Sequence, residues 1–108
     1  MTIHEEIKTA IESVVPVCVP DIYRGEATEY CTFNYSKIPD AFGDDVPDLI
    51  RYLVQLHYYC PEGQDSLNTR QALWEAILAA DFTAPEEENA SDETGQHYVF
   101  EFEALGGA

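Results

Sequence analysis

The chain is poor in positive charge. Of its 108 residues only five are Lys or Arg, against 21 Asp or Glu, and the formal net charge is −16. Non-specific binding of nucleic acid depends on clustered cations that displace counterions from phosphates. Here Lys8, Arg24, Lys37, Arg51 and Arg70 are scattered, so ordinary DNA or RNA binding is excluded, and an acidic field of this size repels a duplex. Cysteine is scarce as well. Cys18, Cys31 and Cys60 form no C-x-x-C pair and each has apolar neighbours, which predicts reduced, buried thiols rather than a disulfide framework. No apolar run approaches the ~20 residues of a membrane span. The opening MTIHEEIK lacks the apolar centre of an export signal, so no membrane association and a cytosolic site of assembly are expected.

Catalytic signatures are missing too. There is no G-x-S-x-G, no H-E-x-x-H and no Gly-rich phosphate loop, the motifs that place nucleophiles, zinc ligands and phosphates. His57 and Cys60 are the closest pair of metal- or nucleophile-type residues. Three positions apart on a strand, they fall on opposite faces and cannot share an ion or a proton. His4 and His97 are remote from them in sequence. The segment PEEENASDETGQ has carboxylates but not the D-x-D-x-D-G order and terminal bidentate Glu of a calcium loop. No catalytic residue, metal or cofactor is expected, and the chain reads as a non-enzyme.

What is present is the material of one folded domain spanning residues 1–108. Apolar residues make up 45% and aromatics 12% of the chain, well above the level of disordered sequences. Thr2 and Glu5 form a capping box ahead of Ile3, Ile7, Ala10, Ile11 and Val14, which recur at helical spacing and predict a helix that stops before Pro16. PVCVPDIYRG follows, a short β-branched run that its prolines confine to a sheet edge. Cys31, Phe33 and Tyr35 alternate with polar residues as a half-buried strand, and Ser36 to Asp48 reads as a long loop. LIRYLVQLHYYC is the longest strand candidate, with Ile50, Tyr52, Val54, Leu56 and Tyr58 on one face and Arg51, Leu53, Gln55, His57 and Tyr59 on the other. Asp65 or Ser66 caps a second helix reaching about Ala80, whose apolar side runs from Leu67 through Leu73 to Ile77. HYVFEFEAL closes the order, with Tyr98, Phe100 and Phe102 on one face and His97, Val99, Glu101 and Glu103 on the other. The order α-β-β-β-α-β predicts an α+β fold, a single mainly antiparallel sheet with two helices packed on one face. The second sheet face, half apolar and half charged, is a candidate subunit contact through Leu53, His57, Tyr59 and Val99.

Before that last strand lies an unneutralised acidic stretch. Asp81, Glu86, Glu87, Glu88, Asp92 and Glu93 precede Gln96 with no Lys or Arg among them. It reads as a loop, as does the segment holding Asp44, Asp45 and Asp48. With the opening helix ending in VVPVCVPDIYRG, the strand EYCTFNYS, the AFGDDVPD segment, the strand RYLVQLHYYCPEG, the helix TRQALWEAILAADF and the closing HYVFEFEAL, the chain resembles over nearly its full length the small tail-terminator, tail-completion or neck proteins of long-tailed bacteriophages. That resemblance implies a virion component assembled in the host cytoplasm, forming a ring, commonly of six subunits, between a tail-tube protein and a head–tail connector. DNA passes through such a ring without specific binding. The acidic segments then face the channel or a neighbouring ring, and some of the scarce cations Arg24, Arg51 and Arg70 meet acids across subunits. The competing class is an acidic DNA mimic that occupies a basic site on a nucleic-acid-binding protein. Such mimics spread acids along helices, whereas the second helix here carries only Glu75.

Overall fold

The computed structural model describes residues 2–38 and 49–107. Helix α1 (Ile3–Glu12) starts where the capping box sits: Thr2 Oγ1 accepts the Glu5 amide at 3.2 Å. Ile7 and Ile11, one turn apart, are fully buried, and the helix is closed by Ser13 ahead of Pro16. Strand β1 (Cys18–Pro20) follows, then β2 (Tyr30–Ile38), β3 (Leu49–Cys60), helix α2 (Leu67–Ala79), β4 (Glu86–Asn89) and β5 (Gln96–Gly107). The strands form one sheet in the order β1-β2-β3-β5-β4. Both helices pack on the same face of it. Ile7 and Ile11 from α1 and Leu73 and Ile77 from α2 join Phe33, Val54, Leu56, Tyr58, Phe100 and Phe102 in one core. The fold is α+β.

The sheet is mixed rather than purely antiparallel. β2–β3, β3–β5 and β4–β5 are antiparallel, but β1 runs parallel to β2 with Cys18 opposite Cys31. Residues Val17 and Asp21 make the bonds to β2, through Cys31 N to Val17 O at 2.8 Å and Asp21 N to Phe33 O at 2.9 Å. Pro20 lies out of phase with them, so its missing N–H falls on the open edge and costs no ladder bond. Asp21 takes φ 62° to turn the chain away.

Two segments read as loops are strand in part. Ser36–Ile38 continue β2, and Glu86–Asn89 form β4. β4 has no apolar alternation and every residue in it is exposed. It exists because the chain folds back on β5 through a tight turn, where Asp92 Oδ1 accepts Thr94 N at 2.9 Å and Thr94 Oγ1 at 2.6 Å. Gly95 at the end of that turn has φ +148°, and a Cβ there would stand 3.2 Å from the Cys60 carbonyl oxygen, so the turn requires glycine.

Helix α2 is narrower in its buried side than its sequence suggests. Leu67, in its first turn, is 63% exposed, and only Leu73 and Ile77 are fully covered. Its start is held differently from a simple cap. Asp65 Oδ1 accepts the Leu67 amide, while buried Ser66 turns its hydroxyl to Gln96 Oε1 at 2.9 Å. Its end is a Schellman arrangement: Phe82 N bonds to Ile77 O, Asp81 N to Leu78 O, and Asp81 takes the left-handed φ of 65°. Phe82 then packs on Phe102, ring centroids 5.1 Å apart.

Candidate functional site

With both helices on one side, no helix among the described residues covers the other face of the sheet. Strand alternation and register determine which side chains it carries. From β3 come Arg51, Leu53, Gln55, His57 and Tyr59, and beside them on β5 stand His97, Val99, Glu101, Glu103 and Leu105. β2 adds Thr32, Asn34 and Ser36, opposite His57, Gln55 and Leu53. β4 adds Glu86 opposite Glu101 and Glu88 opposite Val99. The four subunit-contact candidates Leu53, His57, Tyr59 and Val99 therefore share this face, all half-buried within the single chain. Leu105, at the far end, is 61% exposed.

The face is graded in charge. Its β2 side is neutral, its centre is Leu53 and Val99, and its β4–β5 side carries Glu86, Glu88, Glu101 and Glu103. Like charges directly across a strand pair repel, and Glu86 faces Glu101 in this way. Gln55 Nε2 relieves part of that by donating to Glu101 Oε2 at 3.2 Å. Of the acidic residues singled out from the sequence, Glu87 points to the helix side instead, and Asp92 and Glu93 sit in the β4–β5 turn. Asp44, Asp45 and Asp48 lie outside the described residues.

Two of the three arginines pair with acids of their own chain. Arg70 Nη1 stands 3.0 Å from Glu87 Oε2, and the guanidinium lies 4.3 Å from the centre of the Tyr98 ring. Arg51 Nε is 3.5 Å from Glu103 Oε1 on the uncovered face. Arg24 is exposed and makes no ion pair among the described residues.

At the end of the face near β1 the aromatic rings form a column across the strands. Tyr23 lies on Tyr30 at 4.6 Å, Tyr30 on Tyr59 at 4.8 Å and Tyr59 on His97 at 4.3 Å. His97 Nε2 in turn meets His57 Nδ1 at 2.8 Å. Burial, and for His57 the neighbouring imidazole, holds both histidines below the usual imidazole range, with the Asp92 carboxylate acting in the opposite direction on His97. A cleft of about 380 Å³ opens beside the column, between Tyr30, Tyr59, Glu62, Asp92 and His97.

The sequence placed His57 and His97 each on the face of its strand opposite the main aromatic row but could not bring them together. Their proximity depends on the β3–β5 register across the α2 connection, in which Tyr59 pairs with His97 and His57 with Val99. His57 and Cys60 do fall on opposite faces, as the spacing implied: Cys60 is buried toward the helices. All three thiols are free and buried. Burial pushes the Cys18 thiol up to about 12 and drives Cys31 higher still, so neither is a nucleophile at neutral pH. Among the described residues no group of three or more His, Cys, Asp or Glu converges on one point, and no helix is long and apolar enough to cross a membrane. In comparison with known proteins, the chain matches no protein-family model and no curated protein.

Proposed function

We propose that this chain is a structural component of a long-tailed bacteriophage neck, a tail-terminator or tail-completion protein that forms a ring between tail tube and head connector. The observation that carries the reading is the sheet face that no helix among the described residues covers. A sheet buries one face on its helices and, left alone, exposes the other to water. Here that second face has apolar Leu53 and Val99 at its centre, the pattern of a patch that a neighbouring subunit completes. The chain-wide resemblance in element order supports the same reading.

A closed ring joins two different surfaces of each protomer. In this reading the sheet face supplies one of them. Arg51 and Arg70 already have acid partners in their own chain, so Arg24 is the cation assigned to a contact across subunits. The acidic band of Glu86, Glu88, Glu101 and Glu103 borders the bore. Fixed carboxylates there repel the phosphates of a passing duplex and keep it from adhering. That is why a surplus of sixteen negative charges is tolerated.

Native mass spectrometry and negative-stain electron microscopy of the purified protein, alone and with isolated tail tubes, test the reading. A ring is expected in at least one condition, and Leu53→Asp or Val99→Asp abolishes it while leaving the circular dichroism of the protomer intact. A species that stays monomeric at high concentration in both conditions refutes it.

A further inference from the structure

Two imidazoles meet head-on on the sheet face that no helix among the described residues covers. His57 Nδ1 and His97 Nε2 are 2.8 Å apart, with ring centroids 5.1 Å apart and ring planes tilted by 32°. We infer that this pair is a binding site for one divalent transition ion of borderline softness, of the Zn²⁺ or Ni²⁺ kind, held by His57 Nδ1 and His97 Nε2 with water completing the coordination.

The argument starts from what a 2.8 Å contact between two ring nitrogens contains. A neutral imidazole has one N–H and one in-plane lone pair. Two facing nitrogens therefore share a single proton, or, when each ring keeps its hydrogen on the remote nitrogen, present two lone pairs to one gap. An ion in that gap replaces the shared proton. Zinc–nitrogen bonds are about 2.0–2.1 Å and tetrahedral, so the two nitrogens need a separation of roughly 3.3 Å. The rings must part by about half an ångström. Neither side chain is locked in the core, so side-chain rotation supplies that movement.

The surroundings favour the ion. His97 is held in orientation by Tyr59, stacked on it at 4.3 Å with 17° between planes. The Asp92 carboxylate is near enough to act electrostatically on His97, and it attracts a metal cation in the same way. The pair also discriminates. Scattered carboxylates take hard ions such as Mg²⁺ and Ca²⁺, whereas paired imidazole nitrogens select Zn²⁺, Ni²⁺ and Cu²⁺. No third protein ligand joins among the described residues, so the ion keeps open positions and exchanges quickly, unlike a closed structural zinc site.

The inference does not depend on the ring reading, because it is measured on the protomer. Zn²⁺ is titrated into the protein in excess Mg²⁺, followed by calorimetry and by the side-chain nitrogen resonances of the three histidines. One equivalent is expected to bind, shifting His57 and His97 and sparing His4. His57→Gln and His97→Gln each weaken binding by on the order of tenfold or more, and the double variant loses no further affinity, since one imidazole alone makes no chelate. Co²⁺ gives a check that needs no variant, through the absorption bands of a site with nitrogen ligands. Equal Zn²⁺ affinity in the double variant, or a response spread evenly over His4 and the other two, overturns the proposal, as does absence of saturable binding.

Discussion

Arg70 is the clasp that holds the acidic edge strand to the helix layer, and the structure sets how much it contributes. Replacing it by alanine removes the 3.0 Å pair with Glu87, whose side chains are 26% and 28% exposed. A pair that accessible is worth about 0.2–1 kcal/mol. The contact over Tyr98 at 4.3 Å adds about 0.5–1 kcal/mol, and its aliphatic stem loses packing. Against this, Arg70 Nε is buried without a hydrogen-bond partner in the described structure, a defect that costs about 1–3 kcal/mol and that the substitution relieves. The two sides nearly cancel, so Arg70→Ala is expected to lower global stability by only about 1 kcal/mol, and Arg70→Met, which keeps the stem, by close to nothing. The clasp itself is read from a double-mutant cycle with Glu87→Gln, by urea unfolding monitored through Trp74 on the same helix. A coupling of about 0.5–1 kcal/mol that falls in high salt is expected. Amides of β4 exchange faster in Arg70→Ala while those of β3 do not. A coupling below about 0.2 kcal/mol at low salt, against that range for exposed pairs, or β4 exchange unchanged in Arg70→Ala, refutes the reasoning.

Phe100 is fully buried at the centre of the core, and Phe100→Ala should cost about 3–5 kcal/mol, a large part of the ~5–15 kcal/mol available to a domain this size; the midpoint of urea unfolding reads it. Asp81 occupies the left-handed position that ends α2, so Asp81→Gly should raise stability by about 0.5–1 kcal/mol, seen as a higher melting temperature. The lowered His57 and His97 pKa values mean that the unfolded chain binds more protons than the folded one just below pH 6.5. Their contribution is therefore complete above the unfolded imidazole pKa and is lost as pH falls through the folded values. The test is the difference between wild type and the His57→Gln/His97→Gln double variant, which should narrow on acidification. Cys18 and Cys31 should resist a thiol reagent at pH 8 in the native protein and react at once in urea, and equal rates would contradict the burial described.

Much of the core was legible in the sequence because it obeys simple periods. Ile7 and Ile11 at helical spacing, and the alternation through Ile50–Tyr58 and Tyr98–Phe102, face the same core they were read to face. What escaped follows from physics that a local pattern does not carry. β4 is an EEEN segment whose strand state comes from the turn at Asp92–Gly95 and from pairing with β5, not from its own propensity. The parallel direction of β1 depends on where the chain returns after Asp21. The pairing of His57 with His97, and of Arg70 with Glu87, spans intervals that only the three-dimensional register closes. Alternation already put both histidines on the side of their strands opposite the core-facing aromatic row, so the missing quantity was the offset between two ladders.

The central ladder joins residues 49–60 to residues 96–107, and everything between must be synthesised before it can close. Until then β3 presents one unfilled edge, with its aliphatic and tyrosine row open to any other nascent chain. Non-local pairing of this sort delays folding, and an unpaired apolar strand is a template for aggregation in the meantime. Mutual repulsion between emerging anionic chains opposes their association while that edge is open. The acids that precede β3, among them Glu5, Glu6, Glu12, Glu26 and Glu29, thus serve the unfinished sheet before the carboxylates that border the finished one have been made.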